Sequence, residues 1–129
     1  MNELDATLTT TGRRTGQPRS VRLYAFPDGQ TGRSVLVGSG WAGGSSEPDW
    51  VLNLRAEPRC TLRLGTGAGG MARPGRATEI APGVERDRLW RVATASFPYY
   101  GGYQAKTARL IPVFVFEPDA QPDDRAMRR

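Results

Sequence analysis

The stretch IPVFVFEP, residues 111–118, has no polar side chain from Ile111 to Phe116. Successive side chains of a β-strand point to opposite faces of a sheet, so a strand here is apolar on both faces. A short apolar run of this kind is typical of a strand that is buried on both sides. We therefore expect 111–118 to close a small barrel.

Shorter alternating segments predict the other strands. SVRLYAF (20–26) places Val21, Leu23 and Ala25 on one face, and the turn PDGQTG leads into a returning strand, RSVLVGS (33–39). RCTLRLG (59–65) alternates with its apolar side chains directed inward, and the turn GTGAGG leads into MARPGRATEI (71–80). The inward residues of that strand are expected to be Cys60, Leu62 and Leu64. These segments indicate an antiparallel sheet.

Two segments carry helical signals. EPDWVLNLRAEP (47–58) is expected to be a short helix with Ser45 or Ser46 as its cap and Pro48 in its first turn. From Val84, the apolar stripe is Leu89, Val92, Ala93 and Phe97, and the expected charge pairs are Glu85–Arg88 and Asp87–Arg91. The fold class predicted is α+β, mainly β: a small antiparallel barrel of about six strands with two flanking helices.

Length and composition limit the organisation. The 129 residues are enough for one domain, which we expect over 1–118, followed by a polar, disordered tail over 119–129. The single cysteine, Cys60, cannot form an internal disulfide, which favours a cytoplasmic location. No apolar run approaches the ~20 residues that span a bilayer, so we expect no integral membrane contact.

Charge and residue usage restrict the chemistry. The net charge is +5, which suggests nucleic acid as a partner, yet the arginines are scattered and no recognition motif is visible. Histidine is absent, which excludes His-based triads and most zinc sites. No metal site is expected, and any chemistry is expected to come from a bound cofactor.

The loop TTTGRRTGQPR (9–19) could hold an anion. Two glycines flank Arg13, Arg14 and Thr15, so the backbone can turn tightly while Arg13, Arg14 and Arg19 supply charge-assisted bonds. The alternative is a solvated basic hairpin loop, and the residues alone leave both readings open.

Three other segments have a functional and a structural interpretation. GSGWAGGSSEPDW (38–50) could let a flat ligand approach the backbone, or could be a flexible connection. FPYYGGYQ (97–104) reads as a loop with aromatic walls for a ligand, or as barrel packing. In KTARLIP (106–112), Arg109 could extend the basic surface, but a structural role as cap of the preceding helix is favoured.

Taken in order, TTTGRRTGQPR, GSGWAGGSSEPDWVLNLRAEP and FPYYGGYQAKTARLIPVFVFEP resemble the deazaflavin-dependent nitroreductase family of actinobacteria. The resemblance runs from about Leu8 to Pro118. It implies a split β-barrel, flavin-reductase-like fold that binds coenzyme F420, a deazaflavin with a phosphodiester and an oligoglutamate tail.

The resemblance also implies the roles of individual residues. Arg13, Arg14 and Arg19 are assigned to the anionic tail of the cofactor, with Thr15 and Gly16 as cofactor-binding residues of the same segment. Val37, Gly38 and Ser39 are assigned to the deazaflavin ring, and Trp50 is expected to help fix the loop that covers it. Those assigned to the substrate pocket are Phe97, Tyr100 and Tyr103. The candidates to donate a proton or hydrogen bond to the reacting acceptor are Tyr100, Tyr103 and Ser39.

This sequence departs from the family pattern at three places. Gly40-Trp41 stands where close relatives have a lysine that contacts the anionic tail, and Arg55 or Arg22 is a candidate to compensate. Phe97 stands where relatives carry a tyrosine, which changes the expected electron acceptor. The chain begins almost at the first strand, so we expect an open pocket without the N-terminal helix of many relatives.

The function that follows is a reductase that transfers hydride from reduced coenzyme F420 to an enone, quinone or nitro compound. The alternatives are a carrier that binds the deazaflavin without turnover, an FMN- or heme-binding split-barrel protein, and a nucleic-acid module. A homodimer is left open, since split barrels of this kind often pair.

Overall fold

A computed structural model describes residues 4–40, 46–65 and 71–120. Seven strands and three helices lie within these ranges. Their order is β1 (Asp5–Thr11), β2 (Pro18–Tyr24), β3 (Phe26–Pro27), β4 (Ser34–Val37), α1 (Asp49–Ala56), β5 (Arg59–Leu64), β6 (Ala72–Glu79), α2 (Val84–Ser96), α3 (Tyr99–Ala105) and β7 (Val113–Pro118).

All seven strands form one antiparallel sheet in the order β2-β1-β5-β6-β7-β4-β3. The sheet curls so that β2 at one edge comes close to β4 near the other. β7 lies between β6 and β4, and its first four residues, 113–116, are all buried. The prediction of a strand buried on both faces is confirmed, but β7 lies inside the sheet and does not close a barrel, because the edge strands β2 and β3 are not paired with each other.

Alternate residues of β7 enter two different cores. Phe114 and Phe116 belong to a first core shared by β1, β4, β5, β6 and the helix α1. Val113 and Val115 belong to a second core on the opposite face, which α2 covers with Leu89 and Ala93. α3 adds Tyr100 to the second core. Like β7, β4 enters both cores, with Leu36 in the first core and Val35 and Val37 in the second, so the two neighbouring strands connect the cores.

Several local predictions are wrong. FPYYGGYQ is not a loop, because residues 99–105 form α3. The strand predicted over 20–26 is interrupted at Ala25, which separates β2 from the two-residue β3 and raises the strand count to seven. Leu64, expected inward, is 53% exposed because it is the last residue of β5.

The two predicted helices form, but their caps and charge pairs differ from the prediction. α1 has Pro48 at its N-cap and no side-chain cap, so the predicted caps are wrong for Ser46, while Ser45 lies outside the described residues. In α2, Glu85 pairs with Arg88 as expected, but no ion pair joins Asp87 to Arg91. None of the described helices is long and apolar enough to cross a membrane.

The predicted tail, 119–129, follows directly after β7. Asp119 donates its backbone N–H to the carbonyl of Pro74 and pairs with Arg59. Residues 121–129 lie outside the part of the chain that the structure describes.

Candidate cofactor and acceptor site

Two cavities meet where the edge strand β2 faces the end of β4. The basic cavity, of about 670 Å³, lies between the β1–β2 loop and α1, with Arg13, Arg14 and Arg19 among its lining residues. The aromatic cavity, of about 680 Å³, lies between β2, the end of β4 and α3. Both are lined by Val21, Pro48 and Trp50. The cavities are therefore neighbours on either side of these three residues, and we refer to the two together as the groove.

The β1–β2 loop is a compact turn. Gly12 N–H donates to the Gln17 carbonyl at 2.8 Å, and Gly16 N–H donates to the Gly12 carbonyl at the same distance. Gly16 has a φ of 74°, a conformation that favours glycine. A side chain at Gly12 would lie 3.0 Å from the Thr15 hydroxyl, so this position also requires a very small residue. The loop thus has a defined shape that places Arg13 and Arg14 at the wall of the basic cavity.

Arg13 and Arg14 of the loop and Arg19 at the start of β2 have different surroundings. Arg13 donates from its backbone N–H and its guanidinium to Asn53 Oδ1, at 3.1 and 2.9 Å, and pairs with Asp49 at 3.3 Å. Arg14 and Arg19 are exposed and form no ion pair with any residue in the described ranges. Arg13 therefore anchors the loop to α1, while Arg14 and Arg19 keep their charge available.

Asn53, to which the sequence analysis assigned no role, lines the basic cavity. It is buried on α1, accepts from Arg13, and donates from Nδ2 to the hydroxyl of Thr10 at 3.1 Å. Its amide thus connects α1, β1 and the loop beneath the basic cavity. The signal available was its position three residues after Trp50, on the side of the helix that faces the core.

The end of β4 forms one wall of the aromatic cavity through Val37 and Ser39. Gly38 does not line the cavity; a Cβ there would lie 2.7 Å from Val51 and 2.8 Å from Pro112. Glycine is required because α1 and the segment before β7 pack closely behind this wall. Trp50, 8% exposed, packs against Phe114 at 5.6 Å between ring centroids. The loop it was expected to fix, 41–45, lies outside the described residues.

The candidates to replace the family lysine differ in availability. Arg55 binds Glu79 through two hydrogen bonds of 2.8 Å and pairs with Glu47 at 2.9 Å. The Glu79 and Glu47 carboxylates raise the pKa of Arg55 and occupy its guanidinium, and Arg55 lines neither cavity of the groove. Arg22 is exposed on the wall of the aromatic cavity.

The predicted cap role of Arg109 is wrong, although its role is structural. Its guanidinium donates to the carbonyls of Gly38 at 3.2 Å and Ser39 at 2.8 Å and pairs with Glu47. Arg109 therefore holds the end of β4 instead of the end of α3.

Four aromatic rings form the far wall of the aromatic cavity. Phe97 contacts Tyr24 at 5.4 Å, Tyr100 at 4.6 Å and Tyr103 at 6.1 Å between centroids. Tyr100 is only 5% exposed, and burial raises the pKa of its hydroxyl well above the usual tyrosine range. Tyr100 therefore stays protonated at neutral pH and can act only as a donor or as a neutral acceptor.

The groove fits a ligand that has a flat ring at one end and negative charge at the other. Aromatic walls suit a flat ring, and the two free guanidinium groups of Arg14 and Arg19 suit phosphate and carboxylate oxygens. Fold and groove together define a split-barrel reductase of the flavin-reductase-like class.

Solved structures support this class. One, described as an F420-H2 dependent reductase (FDR-A), is 34% identical, covers 91% of this chain and 96% of its own, and has a TM-score of 0.73. Another, described as a domain-swapped dimer, is 33% identical with the same TM-score and covers 91% and 82%. The heme storage protein HutZ of Vibrio cholerae, 11% identical with a TM-score of 0.67 over 93% and 84%, shares the fold alone.

The chain belongs to the F420H(2)-dependent quinone reductase family, whose sequence model matches residues 2–118. It is 32% identical over 110 residues to F420H(2)-dependent quinone reductase Rv1261c of Mycobacterium tuberculosis (strain ATCC 25618 / H37Rv), which covers 84% of this chain and 69% of the relative. The predicted deazaflavin-dependent family is confirmed. The chain is accordingly an oxidoreductase that uses reduced coenzyme F420 as its hydride donor.

Proposed function

We propose that this protein reduces a quinone with reduced coenzyme F420, with both bound in the groove between β2, α1 and α3. The observation that carries this proposal is that the basic and aromatic cavities are neighbours, both lined by Val21, Pro48 and Trp50. One ligand can therefore reach exposed arginines with one end and an aromatic wall with the other. Quinone is proposed as acceptor because it appears in the description of the family and of the curated relatives.

The basic cavity would hold the anionic tail. Arg14 and Arg19 supply two positive charges that no residue in the described ranges pairs with, and Arg13 keeps the loop against α1 through Asn53. The backbone of Thr15 and Gly16 forms the turn between them. Guanidinium groups bind phosphate and carboxylate oxygens with two parallel hydrogen bonds, so they orient the tail as well as attract it.

The aromatic cavity would hold the ring and the acceptor. When bound, reduced F420 supplies a hydride from its ring carbon. Val37 and Ser39 form one wall, backed by Gly38, and Phe97, Tyr100 and Tyr103 form the other. The hydroxyl of Tyr100, Tyr103 or Ser39 donates a hydrogen bond to the acceptor oxygen on which negative charge develops. Phe97 excludes water and contributes no hydroxyl.

Binding and turnover test the proposed function together. We expect coenzyme F420 to bind at micromolar concentration, measured by deazaflavin fluorescence, and more tightly than FMN. We also expect the reduced cofactor to be oxidised when menadione is added. Tight binding without oxidation of the cofactor by any quinone, enone or nitro acceptor would establish the carrier alternative. Binding of FMN in preference to F420 would contradict the proposal.

Removal of a single hydroxyl tests the role of Tyr100. Tyr100→Phe keeps the ring contact with Phe97, so we expect unchanged F420 affinity and a kcat that falls about tenfold, as for a lost hydrogen bond to developing charge. Tyr99→Phe is the matched control, because Tyr99 is 68% exposed and does not line the aromatic cavity. Equal kcat values for the two variants and the wild type would assign the donor role to Tyr103 or Ser39.

We also propose a homodimer in the cytoplasm. A relative described as a domain-swapped dimer supports the dimer, and the lone cysteine supports a reducing compartment. Burial raises the pKa of the Cys60 thiol to about 11, so it is largely un-ionised and unreactive at neutral pH. Light scattering after gel filtration tests the dimer, and cell fractionation tests the location.

A further inference from the structure

The guanidinium of Arg109 binds two successive peptide carbonyls at the wall of the aromatic cavity. Its Nη1 and Nη2 groups donate to the carbonyls of Gly38 and Ser39 at 3.2 and 2.8 Å. The side chain is 13% exposed. Gln104 of α3 fixes the backbone on either side of it, because it donates to the Arg109 carbonyl at 2.8 Å and accepts from Ile111 N–H at 2.9 Å. The guanidinium therefore approaches the end of β4 from a rigid support.

The orientation of these carbonyls determines where the neighbouring N–H groups point. In a trans peptide unit the C=O and the following N–H point in opposite directions. Because Arg109 attracts the carbonyls of Gly38 and Ser39 to one side, the N–H groups of Ser39 and Gly40 point to the other side. Gly40 has a φ of 68°, which permits this unusual arrangement.

The two residues that carry these N–H groups lie at the cavity wall. Ser39 and Gly40 line the aromatic cavity, whereas Arg109 lies behind them and does not. Within the described ranges, neither N–H donates a hydrogen bond to another residue. A pair of adjacent, fixed N–H donors suits a carbonyl oxygen or an oxygen that carries negative charge.

The charge on Arg109 is balanced within the protein. Glu47 pairs with Arg109 and also with Arg55, which in turn pairs with Glu79. A Cβ at Gly40 would lie 3.5 Å from Arg109 Nη2, so the guanidinium is close to the position of the family lysine. With its charge compensated by Glu47, it is suited to fix the backbone and not to attract the anionic tail.

We propose that Arg109 is a positioning residue that aligns the N–H groups of Ser39 and Gly40 as hydrogen-bond donors for an oxygen of the bound deazaflavin. This inference rests on the function proposed above. Arg109 does not touch the ligand itself, and its effect passes through the backbone of residues 38–40. Lysine at 109 would keep the pair with Glu47, but its single ammonium group does not reproduce the planar fork that binds both carbonyls.

The test compares Arg109→Lys and Arg109→Ala with Arg55→Ala. We expect both Arg109 variants to bind F420 about tenfold more weakly, as for the loss of a well-placed hydrogen bond. The salt dependence of F420 affinity should not change. Ethylguanidinium at millimolar concentration should restore the affinity of Arg109→Ala, whereas ethylamine should not. Arg55→Ala is the matched control, since it breaks the same ion-pair network but touches neither carbonyl. Its F420 affinity should equal that of the wild type.

Amide NMR of the cofactor-free protein provides a second readout. The resonances of Ser39 and Gly40 should shift in both Arg109 variants and stay unchanged in Arg55→Ala. Wild-type F420 affinity in Arg109→Ala, or an equal loss in Arg55→Ala, would overturn the inference. If the wild type itself does not bind F420, the proposed function fails, and unchanged Ser39 and Gly40 resonances would independently overturn the positioning role.

Discussion

The three arginines within residues 13–19 have two kinds of surroundings. Arg13 is 24% exposed and its donors are directed at Asn53 and Asp49, so its removal would release the loop from α1. Arg14 and Arg19 have no partner among the described residues and project into the basic cavity that they line. The anchoring and the ligand-binding functions of a basic loop are thus divided between neighbouring residues.

Replacement of the exposed arginines should weaken binding without weakening the fold. For Arg14→Ala and Arg19→Ala we expect F420 affinity to fall about tenfold each, because each loses one charge-assisted interaction of about 1.5 kcal/mol. The loss should diminish at high salt, and the free energy of unfolding should stay within about 0.5 kcal/mol of the wild type.

Arg91→Ala is the control for those two variants. Arg91 is an exposed arginine on α2 that lines neither cavity of the groove. Arg91→Ala lowers the net charge of the protein by the same amount as Arg14→Ala or Arg19→Ala. An equal loss of F420 affinity in Arg91→Ala would mean that net charge, and not the basic cavity, attracts the cofactor.

The residues whose contacts the sequence did not identify act through distant partners. Asn53 meets Arg13 forty positions away, and Arg109 meets Gly38 seventy-one positions away. Sequence pattern reports which face of a helix a residue occupies, but not which strand or loop packs there. The arginines of the 9–19 loop were predictable because their spacing and flanking glycines are local features.

At the scale of the elements, α3 is a helix whose local sequence predicts a loop. Residues 99–105 include Gly101 and Gly102, each about 1 kcal/mol less favourable in a helix than alanine. The helix forms nevertheless, because Tyr100 and Tyr103 pack against Phe97 in the second core. Aromatic packing overrides the local propensity, and only the tertiary structure contains that information.

The β3–β4 turn is held to α2 by a buried carboxylate. Asp28 is 2% exposed and accepts from Arg88 at 2.8 and 2.9 Å, from the Thr31 hydroxyl at 2.7 Å and from Gln30 N–H at 3.1 Å. The hydrogen bonds from Arg88, more than burial, set its charge state, and they hold the pKa of Asp28 well below the usual aspartate range. This contact connects the turn to the helix that covers the second core.

Asp28→Asn should destabilise the protein in a pH-dependent way. At neutral pH we expect the free energy of unfolding to fall by about 2 kcal/mol, because Arg88 loses a charged partner. Since the folded pKa of Asp28 is depressed, its stabilisation is complete above the unfolded pKa of about 4 and is lost as the pH falls further. Denaturant titrations of both proteins should therefore converge in acid.

The exposed pair Arg59–Asp119 is the control for Asp28→Asn. It has the same bidentate geometry, but both side chains are more than 40% exposed, so Asp119→Asn should cost less than Asp28→Asn. An equal loss of unfolding free energy in the two variants would contradict the proposed role of the Asp28–Arg88 contact. So would a stability difference between Asp28→Asn and the wild type that persists in strong acid.

At the scale of the whole molecule, the sequence predicted the architecture better than the strand order. The doubly apolar pattern of β7 indicated a strand buried on both faces, and the structure places it in the middle of the sheet. Nothing in that pattern states that β7 pairs with β6 on one side and β4 on the other, because pairing depends on long-range register. The resemblance to a known family supplied the fold that periodicity left open.

Cofactor binding should stabilise the whole molecule, because the groove joins parts of both cores. The basic cavity touches β1 and α1, which contribute to the first core, and the aromatic cavity touches α3, which contributes to the second. At a hundredfold excess over Kd, F420 should add about 2.7 kcal/mol to the free energy of unfolding and raise Tm by about 10 °C in a single transition.

The deazaflavin ring without its phosphate and glutamates should raise Tm much less at the same concentration. An Arg14→Ala/Arg19→Ala double variant should respond to F420 only as the wild type responds to the ring. If the ring alone gives the full shift, the basic cavity does not hold the tail.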